Sequence, residues 1–463
     1  MKNSIIKTKV FLTALALLIS AFMAGTVQAQ TDVAEVNGAV NDAQGAAVAG
    51  ATVTLNNPAT GFTRTTQTND RGIYAFPGIP PGTYNITVER SGFKRSVQTD
   101  VQAPIASTTQ INFVLEIGDL EETVTVTSNS IDSIVNTQDA SIGNTFQPIQ
   151  IQQLPTDSRN INSLLSLQPG VTREGYVNGG RSDQANITLD GIDVNDQQLG
   201  TAFFSVLRAT AESVEEFRVT TTNPNADQGR SSGAQISLLT KSGSNSFHGA
   251  AFWLPRRTFG SANNFFNNAS TIPQERPNID RDVFGGAIGG PIIKDKFFFF
   301  YSYEGWRQKI EVPVVRTVPL ASLGQGILKF QDNAGVIQTL TPDQFNLIYP
   351  IAGQNPLALA ALADAAARYP ANDEGGDGLN TGGFRFNAPT SYDQNTHVLR
   401  LDWNINDSQR LFIRGNKQHD VSIGVPAFPD TPAPEDWDHN TGIALGHLWT
   451  ISSNKINNFR YGL

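Results

Sequence analysis

From Phe247 onward the chain is built of runs of roughly ten residues in which apolar and polar side chains alternate, the length and pattern of a membrane-crossing β-strand. These runs lie at 247–254, 281–289, 297–307, 392–404, 409–419, 440–451 and 455–463, and they are rich in aromatic residues. In one of them Leu399, Leu401 and Trp403 share a face, while Arg400 and Asp402 take the other. Apolar-out, polar-in alternation fits a transmembrane β-barrel, and an ordinary β-domain with one buried face is the competing reading.

The connections separate the two. In order they are long (255–280), short (290–296), very long (308–391), short (405–408), long (420–439) and short (452–454). Short turns on one side of a membrane and long loops on the other produce this alternation, and a soluble sandwich has no reason to keep it. The sequence predicts that 308–391 lies outside the cell, with a short helix over Leu357–Arg368, and that 290–296 and 405–408 face the periplasm. No later segment reaches the run of about 18 apolar residues that a membrane helix needs.

The N-terminus predicts export. Lys2, Lys7 and Lys9 precede an apolar stretch from Val10 to Gly25, and Val27-Gln28-Ala29 carries small residues at the cleavage-determining positions. Residues 1–29 therefore read as a signal peptide cleaved after Ala29. The chain has no cysteine, which removes disulfides and thiolate metal sites from consideration. Its net charge of -9 argues against nucleic acid as a partner.

Residues 30–117 read as a small all-β unit. Strand-like runs at Val33–Val40, Ala51–Leu55, Thr63–Thr68, Ile73–Phe76, Thr83–Glu89, Phe93–Val101 and Thr109–Leu115 are separated by Gly and Pro, as in a sandwich. A linker at 118–130 follows, and within it Glu122, Thr123, Val124, Thr125, Val126, Thr127 and Ser128 form an alternating β-prone segment. Such a strand, if unpaired, can be added to another protein's sheet; the plainer reading makes it the last strand of the sandwich or a linker.

Residues 131–246 carry short strands at Asn186–Leu189, Phe217–Thr221 and Ala234–Thr240, with a short helix within 149–167 started by Asn160 or Asn162. Long apolar residues are few there, so this unit is expected to lean on something that surrounds it. Asp190, Asp193, Asn195 and Asp196 are rich in oxygen ligands but lack the EF-hand spacing, and such residues are ordinary turn formers. Gly229-Arg230-Ser231-Ser232-Gly233 matches a nucleophile-elbow pattern, yet a strand rather than the required helix is expected after it. The histidines (His248, His397, His419, His439, His447) are scattered. No catalytic set, cofactor site or metal site is read from the sequence, and the chain is expected not to be an enzyme.

One resemblance ties these parts together. Asn178-Gly179-Gly180-Arg181 is followed by Thr188-Leu189-Asp190-Gly191-Ile192-Asp193-Val194-Asn195-Asp196. Val214-Glu215-Glu216-Phe217-Arg218-Val219, the Gly229–Gly233 motif and Leu239-Thr240-Lys241-Ser242-Gly243-Ser244-Asn245 complete the series. In this order the motifs resemble the plug domain of TonB-dependent outer-membrane receptors, in the Oar-like branch whose plug follows a carboxypeptidase-regulatory-like domain.

The resemblance implies a mainly β architecture: the regulatory-like β-sandwich (30–117), the mixed α/β plug (131–246) and the first strands of an outer-membrane β-barrel (247–463). It implies that Glu122–Ser128 is similar to a TonB box and meets a TonB-type periplasmic energy-transducing protein. Outer-membrane lipid and an extracellular ligand of unknown identity would be the other partners. The expected function is energy-coupled movement of a ligand across the outer membrane; a non-transporting adhesin or secreted structural β-protein is the alternative. A barrel with a plugged lumen needs about 22 strands, and the sequence ends Arg460-Tyr461-Gly462-Leu463 in mid-strand. It is therefore expected to be the N-terminal part of a longer receptor.

Overall fold

The computed structural model describes residues 33–463 apart from 119–122, 128–139, 155–158, 197, 199–203, 226–227, 230–231, 264, 270–274, 352 and 453–454. The segment 1–29, Glu122, Ser128 and Ser231 thus lie outside the described residues.

The first unit is a sandwich. Its strands are β1 (Ala34–Asp42), β2 (Thr52–Asn56), β3 (Thr63–Gln67), β4 (Ile73–Ile79), β5 (Gly82–Glu89), β6 (Arg95–Ala103), β7 (Thr108–Gln110) and β8 (Phe113–Leu115). β4, β1, β7 and β8 form one sheet; β3, β2, β5 and β6 form the other, which a further strand, β9 (Thr123–Thr127), extends at its edge. Period-two alternation sends Val36, Val40, Val53, Leu55, Phe76, Tyr84, Ile86 and Val88 into the core between the sheets, each fully buried. At roughly 25 cal/mol per Å² of apolar area, these side chains are the dominant stabilising contribution of the unit.

The second unit holds β10 (Ile142–Phe146), β11 (Asn186–Leu189), β12 (Ile192–Asp193), β13 (Val214–Thr222) and β14 (Gln235–Thr240) in the order β10-β13-β14-β11-β12. A short α-helix (Pro148–Gln153) and a 3-10 helix (Ile161–Leu167) pack beside the sheet. The 3-10 helix begins where the sequence placed a start: the Asn160 side chain accepts from the Asn162 N–H. The expected shortage of core is not what the structure shows. Leu164, Leu165, Ile187, Leu189, Val214, Phe217, Val219, Ile236 and Leu238 are all buried in one cluster, so the plug unit has its own interior.

The third unit is an antiparallel meander: β15 (His248–Arg257), β16 (Ile279–Ile293), β17 (Phe297–Pro319), β20 (Thr381–Asn406), β21 (Gln409–Ile423), β23 (Thr441–Ser452) and β24 (Lys455–Gly462). β22 (Glu435–Asp438) adds to the outer end of β21. The burial pattern settles which face is which. Ser302, Glu304, Gln394, Thr396, Arg400, Asp402, Arg414 and Asn416 are buried, while Trp253, Ile288, Leu399, Trp403, Ile443 and Phe459 are exposed. A water-facing β-domain would be built the other way round, and a lipid-facing wall requires this order.

The wall differs from the sequence expectation in one respect. β17 and β20 stay paired from Phe297↔Trp403 to Pro319↔Thr381, so the long connection narrows from 308–391 to 320–380. About 9–11 residues cross a bilayer, and this ribbon therefore stands well clear of it. Pro313 and Pro319 are tolerated because β16 pairs with β17 only as far as Ile310, leaving the outer part of β17 bonded on one side. The connection itself carries a hairpin of β18 (Leu328–Gln331) and β19 (Ile337–Leu340) and a helix at Pro356–Arg368. That helix falls where the sequence put it, capped by the Asn355 side chain.

This geometry makes topology testable, since the chain offers a cysteine-free background. An impermeant thiol reagent on intact cells is expected to label Ala361→Cys, on the helix of the long connection, and to spare Asp407→Cys in a short turn. The opposite pattern would reverse the orientation.

Candidate functional site between the plug, the wall and an edge strand

The plug meets the inner face of the wall through buried charge. Asp190 ends β11 in a left-handed turn with Gly191, which aims its carboxylate outward from the plug sheet. Thr240, across from it on β14, donates its backbone N–H at 2.9 Å and its hydroxyl at 3.0 Å to Asp190. The wall supplies the countercharge. Arg400 Nη1 lies 3.1 Å from Asp190 Oδ1 and also donates to the Thr240 carbonyl at 3.0 Å. Arg414 Nε lies 2.7 Å from Asp190 Oδ2. Arg400 is held by Asp402 through two parallel bonds of 2.9 Å each, which fix its plane. Asp190 is fully buried and Arg414 nearly so, at 0% and 1% side-chain exposure, so solvent screens this cluster little.

Two further pairs run in the other direction, with the cation on the plug. Arg159 lies 3.2 Å from Glu304 of β17, and Arg208 is ion-paired to Asp420 of β21 while donating to Thr396 at 2.9 Å. Between these pairs and the outer ends of the strands is a cavity of about 540 Å³, lined among others by Arg208, Trp306, Tyr392, Trp437 and Asp438.

The opposite end of the plug faces the sandwich. Both Glu216 carboxylate oxygens accept from the Ile105 N–H at 3.0 Å, and Ile105, Ala106 and Leu239 close a small apolar contact around them. Burial pushes the Glu216 carboxyl up to about 7, against the opposing pull of the Ile105 N–H and the Arg218 charge. The Asn245 N–H donates to the Ala59 carbonyl at 2.8 Å, and the Arg410 guanidinium sits 5.3 Å from the centre of the Phe62 ring. The sandwich is thus seated on the plug and on the end of the wall that carries the short turns.

The oxygen-rich run singled out in the sequence divides. Asp190 is committed to the arginines, Asp193 accepts from the Asn195 N–H at 2.9 Å, and Asp196 accepts from the Gln198 N–H at 2.8 Å. Among the described residues no group of three or more His, Cys, Asp or Glu is placed to hold a metal ion. β14 follows the Gly229–Gly233 motif as a strand. His419 and His439 stack with ring centres 4.0 Å apart near Trp437, a pairing that their sequence separation did not reveal.

The segment Thr123–Thr127 is ordered as β9, paired in parallel with β6 in the register Arg95↔Thr123 to Thr99↔Thr127. Of the readings the sequence left open, an unpaired strand, a linker or the last strand of the sandwich, the structure shows Thr123–Thr127 as the last strand of that sheet. Val124 and Thr125, on opposite faces, are both exposed.

A wall with its apolar side outward and its charged side on a plug is the construction of a membrane-spanning β-barrel wall. Residues 239–463 match the family model of the outer membrane beta barrel domain, and residues 35–116 that of the carboxypeptidase regulatory-like domain. The chain is similar to the TonB-dependent transporter Oar of Myxococcus xanthus, with 29% identity over 278 residues, 58% of this chain and 26% of that protein. It spans about a quarter of the length of that relative. Among solved structures it is similar to the outer membrane transporter YddB from Escherichia coli, at a TM-score of 0.44 and 12% identity over 69% of this chain and 38% of that one. The ferric-catecholate import receptor Fiu from E. coli K12 matches with a TM-score of 0.31 and 14% identity, over 70% and 48% of the two chains.

Proposed function

We propose that the chain works in a TonB-dependent outer-membrane transporter, in which a periplasmic energy-transducing protein pulls on Glu122–Ser128 to rearrange the plug. The observation that carries this reading is the plug itself. It is a folded unit with its own core, held to the inner wall by buried ion pairs and hydrogen bonds. Contacts of that kind are strong at rest and break discretely, which suits a part that must move under load. The Oar relative, itself named a TonB-dependent transporter, supports the same reading.

The parts then take roles. The cavity with Trp306, Tyr392 and Trp437 is where an external ligand would meet both plug and wall. The domains divide as 1–29 signal peptide, 30–117 regulatory-like sandwich, 118–130 linker with the coupling segment, 131–246 plug and 247–463 barrel wall. No step of this scheme makes or breaks a covalent bond in the ligand.

The test compares conservative and backbone-breaking changes in the coupling segment. Strand addition draws its affinity from main-chain hydrogen bonds, so Val124→Ile is expected to be nearly silent. Val124→Pro removes a donor and fixes φ, and is expected to abolish uptake of a ligand captured from culture medium while leaving its binding at the cell surface intact. Normal uptake with proline at this position would make the stretch an ordinary linker.

A further inference from the structure

The regulatory-like sandwich is seated on the receptor and carries β9 at the end of its sheet, in the order β3-β2-β5-β6-β9. One side of β9 is bonded to β6 over its whole length. Among the described residues no strand pairs with its other side. Natural sheets guard open edges with charge, proline, a bulge or a cover. β9 reads Thr-Val-Thr-Val-Thr, with no charge and no proline, and its pairing with β6 runs without a register shift. Val124 and Thr125 are exposed on opposite faces, so β9 is held by its main chain rather than by burial of these side chains.

We propose that the regulatory-like domain is a presentation platform for the coupling strand: it holds Thr123–Thr127 extended against β6 and offers the free edge of β9 to an incoming strand of the TonB-type periplasmic protein. The partner's strand becomes the sixth of the sheet and β9 need not leave β6. The advantage is preorganisation, because a segment already extended loses less conformational freedom on binding than a free linker does. The contacts of Ile105 with Glu216 and of Asn245 with Ala59, and that of Phe62 with Arg410, keep the platform fixed to the plug and wall, so the strand is displayed at a constant place. This proposal rests on the reading of Glu122–Ser128 as the coupling segment.

A disulfide lock tests it. Val97 and Thr125 are register partners, and the chain has no other cysteine to interfere. The Val97→Cys/Thr125→Cys receptor, oxidised or reduced, is assayed against the purified periplasmic domain of the host's TonB-type protein. The locked form is expected to bind at least as tightly as the unmodified receptor, because β9 is used where it stands. Binding that vanishes on oxidation and returns on reduction would overturn the proposal, since β9 would then have to leave the sheet to be used. Val124→Pro separates the two layers. If it binds as tightly as the unmodified receptor, the coupling reading itself fails; if it loses binding and the locked form does too, only the platform fails.

Discussion

Replacing Asp190 with alanine is expected to loosen the plug from the wall by about 3–5 kcal/mol, the cost of leaving buried charge without its partner. Two arginines converge on this one carboxylate, at 3.1 Å from Arg400 and 2.7 Å from Arg414. Arg400 keeps Asp402 after the change, but Arg414, 1% exposed, keeps no carboxylate within ion-pair distance among the described residues. Thr240 loses the acceptor of its N–H and its hydroxyl at the same time. Asp190→Asn keeps the shape and one acceptor oxygen, and is expected to fall between the two. Hydrogen exchange of β11 and β14 in the membrane-embedded protein reads the effect. Asp190→Ala should speed exchange there, and adding Arg414→Ala should recover part of the loss, since removing both members costs less than stranding one. Exchange unchanged by Asp190→Ala would mean that the plug is held elsewhere.

Much of this lock was half-legible in the sequence. Arg400 and Asp402 stand opposite Leu399, Leu401 and Trp403 in a strict alternation, so their inward direction follows from the period of a strand. What they touch does not. Asp190 lies 210 residues before Arg400, and in the sequence it reads as an ordinary turn residue ahead of Gly191. Only the closed geometry shows that the turn aims its carboxylate at the wall. The plug interior was missed for a similar reason. Leu165, Ile187, Phe217 and Ile236 come from separate short elements and form no periodic run that a sequence window can register.

The wall was the most legible part, because alternation and loop rhythm both bear on it. Its one misjudged connection has a physical cause. From 308 to 319 and from 381 to 391 the aromatic texture fades and Pro313, Pro319, Gly382 and Gly383 intervene, all signs that ordinarily end a strand. β17 continues past them because its partner there is β20 alone, and Pro313 and Pro319 fall at positions whose N–H would face away from β20, as the Glu311 N–H does in donating to Asn278. The coupling segment shows the reverse case. Its β-tendency was plain, but nothing local announced that β6 would take it up in parallel, since parallel partners need no turn between them.

If Glu122–Ser128 couples to an energised periplasmic partner by strand addition, as proposed, the two must touch in living cells. Thr125→Cys is paired with single cysteines placed in turn along the periplasmic domain of the host's TonB-type protein, and disulfide adducts are scored in energised cells. Strand addition sends successive side chains to opposite faces, so adducts are expected at every second position of one short stretch of the partner. Introducing Val124→Pro alongside is expected to abolish them, because the ladder loses a donor in its middle. Adducts in this alternating pattern that disappear with the proline are expected; no adduct at any position, or adducts that persist unchanged with Val124→Pro, would mean that this stretch does not couple by strand addition.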